Sequence, residues 1–164
     1  GCPSCISSKG ESKISEILNC YGIPFVREYK IDGYRYRYDF FLPEQNILIE
    51  YQGQQHYHPV KAFGGEAGHL DCKKRDILKS KIASEKMIPL IEIHYKHMYN
   101  KTLEYKLIKD LKKIYKYWLV LDGDIIVAKN EYSICQKFNL KYDTPIRDAC
   151  HILLKNNQNI KLLF

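Results

Sequence analysis

The sequence predicts a mixed α/β fold, with a four-stranded mixed sheet flanked by helices and a small C-terminal α/β appendage. Three observations carry that expectation. Two alternating runs, Tyr34–Leu42 and Ile47–Gln52, are separated only by Pro43-Glu44-Gln45-Asn46, the pattern of an antiparallel hairpin. A stretch with helical spacing precedes them, and a basic helical stretch followed by an apolar run comes after, so a fourth strand is reached by a crossover. With 45% hydrophobic and 27% charged residues in 164, the chain has enough apolar surface for a core and is the size of about one domain.

Ser8 to Tyr21 reads as a helix, because Ile14, Ile17, Leu18 and Tyr21 fall on one stripe. Ser8 is its cap and Glu11, three residues on, completes a capping box, while Gly22 and Pro24 end it. Phe25 to Ile31 is the first strand, closed by Asp32-Gly33, and the central hairpin supplies the second and third. A long connection from Gly53 to about Gly68 carries His56, His58, Lys61 and Phe63, and loops of that length are usually functional. Next come a basic helix over Leu70–Lys86, with Ile77, Leu78, Ile82 and Ala83 as its apolar side, and a strand over Pro89–Tyr95. Thr102–Tyr117 is a basic amphipathic helix with Leu103, Leu107, Leu111 and Ile114 inside. A hairpin about Asp122-Gly123 and short helices over Glu131–Phe138 and Pro145–Lys155 complete the chain. The expected divisions are therefore 1–9, 10–117 and 118–164.

Lysine and arginine outnumber aspartate and glutamate by 26 to 19, a net charge of +7 that favours a polyanionic partner, nucleic acid above all. The 14 tyrosines point weakly the same way, through stacking on bases. No run approaches the roughly 18 apolar residues of a membrane span, and no signal peptide opens the chain, so an intracellular setting is expected. The six cysteines suit a reduced compartment better than a disulfide scaffold. Cys2 and Cys5 form a C-x-x-C knuckle, half of a zinc site whose other pair is expected upstream of Gly1. Cys20, Cys72, His56 and His58 are further donors without the right local spacing.

Alternation along the hairpin puts Arg35, Arg37, Asp39 and Phe41 on one face of the first strand, and Leu48, Glu50 and Gln52 on one face of the second. Two carboxylates held close repel unless one protonates or a cation sits between them, and a hard divalent ion prefers such oxygen ligands. The plain alternatives are cross-strand ion pairs with Arg35 and Arg37, capping alone for Glu11, and a solvated lysine partnership for Asp76.

Asp39, the eleven-residue step to Glu50, and Gln52 resemble the PD-(D/E)xK nuclease pattern, with Gln52 where that family most often has lysine. Glu11, the histidine of Gln55-His56-Tyr57 and the aspartate of Lys74-Arg75-Asp76 narrow the resemblance to very-short-patch repair endonucleases and phage EDxHD homing endonucleases. It covers roughly Gly1 to Tyr95. The resemblance implies a restriction-endonuclease-like fold and Mg²⁺- or Mn²⁺-dependent cleavage of double-stranded DNA. It also implies roles: Asp39 as the central metal ligand, Glu50 and Glu11 as further ligands or water-orienting groups, and Gln52 as a water-positioning group. His56 would donate to the phosphate or leaving oxygen, and Asp76 would orient a histidine or a metal-bound water. Arg35, Arg37, Lys61, Lys73, Lys74, Arg75 and Lys79 would meet DNA phosphates. Tyr38 replaces the family's proline, and a neutral Gln52 leaves open a second reading, a decayed nuclease fold that only binds DNA.

Overall fold

The computed structural model describes residues 8–59, 65–100, 102–140, 145, 148 and 160–163. Helix α1 spans Lys9–Cys20; Ser8 Oγ accepts from the Glu11 amide and Glu11 Oε1 from the Ser8 amide, so the capping box forms. Strands β1 (Val26–Lys30), β2 (Arg37–Leu42) and β3 (Ile47–Gln52) form an antiparallel meander. A short 3-10 turn, Gln54–His56, leads towards α2 (Gly65–Glu85), after which β4 (Leu90–His94) pairs parallel with β3. The sheet order is β1-β2-β3-β4, a four-stranded mixed sheet with helices, as the hairpin and crossover pattern predicts.

Burial follows the alternation of β2, where Tyr38, Phe40 and Leu42 are buried while Asp39 and Phe41 are only partly so. Tyr34 and Tyr36, expected in the strand, precede it, and are half-buried against Ile31, Tyr38, Leu48, Ile82 and Ala83. Each fully buried aliphatic or aromatic side chain of this core contributes about 1.5–3 kcal/mol. Ile82 and Ala83 bring α2 into that cluster, but Ile77 and Leu78, expected beside them, are exposed. α2 also begins five residues before the expected Leu70, inside the presumed loop. Gly10 lies directly against the Tyr51 ring, where any β-carbon would collide. That approach sets how close the first turn of α1 stands to β3.

The chain divides into two compact units, Gly1–Leu107 and Ile108–Phe164, so the boundary falls within α4 (Leu103–Ile114) rather than at Trp118. A short helix, α3 (Lys96–Tyr99), precedes α4, whose Leu103, Leu107 and Leu111 are buried as expected. In the second unit, β5 (Tyr117–Leu121) and β6 (Asp124–Ala128) form the expected hairpin, with Asp122 and Gly123 at φ 51° and 99°. α5 (Glu131–Lys137) follows, and β7 (Ile160–Leu162), not anticipated, pairs antiparallel with β5. The Pro145–Lys155 helix, apart from residues 145 and 148, lies outside the described residues. No helix among the described residues is long and apolar enough to cross a membrane.

Candidate functional site

The ladder between β2 and β3 ends at Phe40↔Ile49, one step short of Asp39 and Glu50. Beyond that point side chains take over the backbone's partners. Asp39 Oδ2 accepts from the Tyr51 amide at 2.7 Å, and Glu50 Oε1 accepts from the Asp39 amide at 3.3 Å. On the other flank, the β1–β2 register pairs Arg27↔Phe40 and Tyr29↔Tyr38 but skips Glu28, which has φ 51°. The remaining non-glycine residues with positive φ, Asn46, Met87, Asp122 and Asn139, sit in turns. A left-handed glutamate inside a strand costs about 1–2 kcal/mol, and strain of this kind gathers at functional sites.

The distortion brings Glu28 to Glu11 and Asp39, and one oxygen from each of the three lies within 4.8 Å of the others. Three carboxylates offering only oxygen fit a hard divalent cation such as Mg²⁺ or Mn²⁺. Glu11 is also the capping residue of α1 and receives Arg27 at 2.8 Å, so capping and clustering coexist. Glu50, 4% exposed, stands outside this trio and is held by the Lys79 ammonium.

Burial pushes the Asp39 carboxyl up from 3.8 to about 6, opposed by the Tyr51 amide and helped by neighbouring Glu11. Glu50 rises from 4.5 to about 8, first through burial and then through Asp39, with Lys79 pulling the other way. Asp39, the member of the trio with the raised value, is thus poised to exchange a proton for a metal ion near neutral pH.

Glu11, Asp39 and Glu50 line a cleft of about 420 Å³ together with His56, Arg75, Asp76, Lys79, Arg35 and Arg37; Glu28 is not among its lining residues. His56 ends the 3-10 turn, and its Nδ1 lies 2.7 Å from Asp76 Oδ2 on α2. A carboxylate oxygen can only accept, so Nδ1 carries the hydrogen and Nε2 is left as the reacting nitrogen. His69 Nδ1, 2.9 Å from the Gln55 carbonyl, ties the turn to the same helix.

Gln52 is not among the residues lining this cleft. It is 5% exposed and donates from Nε2 to Glu92 Oε1 at 3.2 Å, across the parallel β3–β4 pair. A buried carboxamide needs a partner, and Glu92 provides it. The positive charge nearest Glu50 comes instead from Lys79 on α2. Among the other basic residues, Lys73 is exposed, Lys74 is 3.9 Å from Asp71, and Arg35 donates to Tyr36 Oη at 2.8 Å. Cys2, Cys5 and Lys61 lie outside the described residues. His58 is exposed and does not line the cleft.

Sequence reasoning missed three things: Glu28, the grouping of Cys72 with His56 and Asp76, and the pairing of Lys79 with Glu50. Cys72, Asp76 and Lys79 are four and three residues apart, the spacing of one helical face, so arithmetic on α2 would have grouped them. Glu28 on an ordinary first strand carries no such signal. Comparison with protein-family models, with curated proteins and with solved structures finds no match to this chain.

Proposed function

We propose that this protein is a metal-dependent DNA endonuclease of the PD-(D/E)xK type, with a restriction-endonuclease-like core resembling very-short-patch repair and EDxHD homing enzymes. The observation that carries the reading is the cleft itself. Buried Glu50 and partly buried Asp39, both with raised pKa values, line it with the His56–Asp76 pair and with Arg35, Arg37 and Arg75.

Glu11, Glu28 and Asp39 would hold the metal, which when bound supplies charge stabilisation at the phosphate and acidifies the attacking water. Glu50, kept in place by Lys79 and the Asp39 amide, orients that water. Lys79 sets positive charge beside the oxygens that become negative during attack. Asp76 accepts from Nδ1 and holds the His56 ring, which in its doubly protonated form gives the Nε2 hydrogen to the leaving oxygen. Arg35, Arg37 and Arg75 neutralise flanking phosphates, which makes duplex binding steeply salt-dependent.

Incubation of supercoiled plasmid with Mg²⁺ or Mn²⁺ tests the reading: nicking by the parent protein and none by Asp39→Ala is expected, and equal traces from the two would remove the idea. The withdrawal of Gln52 onto Glu92 favours a second reading, a nuclease fold that binds DNA without cutting it. That version predicts metal-independent duplex binding unchanged by Glu50→Gln, with no nicking under any condition.

A further inference from the structure

His56 and Asp76, which line the cleft, meet Cys72 just behind it in a donor set unlike the carboxylate trio. On α2, Cys72 and Asp76 are four residues apart and share a helical face, and the 3-10 turn delivers His56 to them. Cys72 Sγ lies 3.3 Å from His56 Nδ1, the same nitrogen that meets Asp76 Oδ2 at 2.7 Å. One sulfur, one nitrogen and one oxygen thus lie within 4.8 Å of one another. Cys72 is 3% exposed and in no disulfide, so its thiol is shielded in the folded protein. Asp76 and His56 are only partly buried, which leaves a solvent approach from the cleft.

We propose that His56, Cys72 and Asp76 form a binding site for a thiophilic divalent ion of the zinc and cobalt class, distinct from the all-oxygen set at Glu11, Glu28 and Asp39. Three protein ligands with mixed N, S and O donors and an open fourth position suit zinc. A thiolate selects against Mg²⁺ and Ca²⁺, which prefer oxygen. Metal–ligand distances of roughly 2.0 Å to nitrogen and 2.3 Å to sulfur place those two atoms about 3.5 Å apart around a tetrahedral ion, near the separation already present. The Asp76 carboxylate has to retreat by about half an ångström to take its place.

Occupancy has a consequence for the proposed nuclease chemistry, and this part rests on that reading. Binding sends the thiol proton to solvent and the imidazole proton from Nδ1 to Nε2. The ring is then neutral, with a metal on Nδ1 and its one hydrogen on Nε2; giving that hydrogen up would leave an imidazolate, so the ring is a far weaker acid than the imidazolium that Asp76 supports. Zinc at this site therefore silences the cleft that magnesium activates.

The test uses the full chain with Cys2→Ser and Cys5→Ser as background, so that the N-terminal knuckle contributes no thiolate. Titration with Co²⁺ is expected to give a thiolate-to-cobalt charge-transfer band in the near ultraviolet that saturates at one equivalent. The band is expected to vanish in Cys72→Ser, and Asp76→Asn to weaken the affinity by at least the roughly tenfold that loss of even an outer partner costs. Circular dichroism of both variants controls for folding. No band, or a band that survives Cys72→Ser, overturns the proposal. In parallel, one equivalent of Zn²⁺ should suppress Mg²⁺-dependent nicking in the background protein and leave the rate ratio with and without zinc near one in Cys72→Ser. Equal zinc suppression in both overturns the inhibitory role. A protein that never nicks plasmid while showing the cobalt band retains the metal site and sinks the nuclease reading instead.

Discussion

In the β5–β6 hairpin the ladder runs without interruption from Tyr117↔Ala128 to Leu121↔Asp124, and the turn at Asp122-Gly123 closes it. In the β2–β3 hairpin it stops at Phe40↔Ile49, and beyond that Asp39 and Glu50 accept from backbone amides through their side chains. Where the backbone satisfies itself, the flanking side chains are free to be apolar, as Leu119 and Ala128 are in their cluster with Ile134. Where it does not, carboxylates are drawn inward, fixed in direction and pushed up in pKa. One hairpin spends its hydrogen bonds on stability, and the other gives some up to hold charge in place.

Breaking the second arrangement should have the largest effect. Asp39→Ala is expected to reduce nicking by on the order of a hundredfold or more, measured as loss of supercoiled plasmid. The same contrast predicts a gain: without metal at pH 8, thermal melting of Asp39→Asn should lie above the parent, because an ionised buried carboxylate is gone. An unchanged melting temperature would show that burial of Asp39 is not costly. Lys79→Met should cost roughly tenfold to a hundredfold in nicking, with Lys79→Arg recovering part of it. Equal rates for all three proteins would detach Lys79 from the chemistry.

The pH dependence follows from the sign of the shifts. Asp39 and Glu50 have folded-state values near 6 and 8, above their ordinary 3.8 and 4.5. The folded protein therefore binds protons more tightly than the unfolded chain. Their contribution is fully present below about pH 4 and is lost as pH rises through 6 and then 8, on the order of 3 kcal/mol for Asp39 alone. A divalent cation at Asp39 replaces the lost proton, so the rise in melting temperature on adding Mg²⁺ should be small at pH 5.5 and larger at pH 8.5. A flat response across that range would separate the metal from this carboxyl.

Smaller effects sharpen the comparison. Glu28→Gly should relieve about 1 kcal/mol of backbone strain in denaturant melts while weakening metal binding, whereas Glu28→Gln should weaken binding without the gain. Gly123→Ala, in the uninterrupted hairpin, should cost about 1 kcal/mol through its φ of 99° and leave nicking as it was. Reduced nicking there would mean that the second unit bears on the cleft.

The strands, the capped first helix and the position of Asp39 beside Glu50 were legible because they depend on local periodicity and a short turn. Placing His56 with Asp76 also needed the resemblance, since twenty residues separate them. Gln52 shows the limit of alternation: parity puts it on the Glu50 side, but a parallel neighbour supplied Glu92 as a partner, and nothing local announces that choice. Lys79 was legible as a basic residue but not as the partner of Glu50, because its reach depends on how α2 crosses the sheet. Glu28 was beyond reach for another reason: it joins the trio through an unfavourable backbone angle, and propensity argues against such angles rather than for them.

That angle has one more effect. β1 stands at the end of the sheet order, with exposed residues at four of its five positions, where a straight strand would offer its free amides and carbonyls to any passing chain. The left-handed angle at Glu28 interrupts that margin part-way along. The backbone angle that gathers oxygens for a cation also breaks the straight run of amides by which an edge strand recruits another chain.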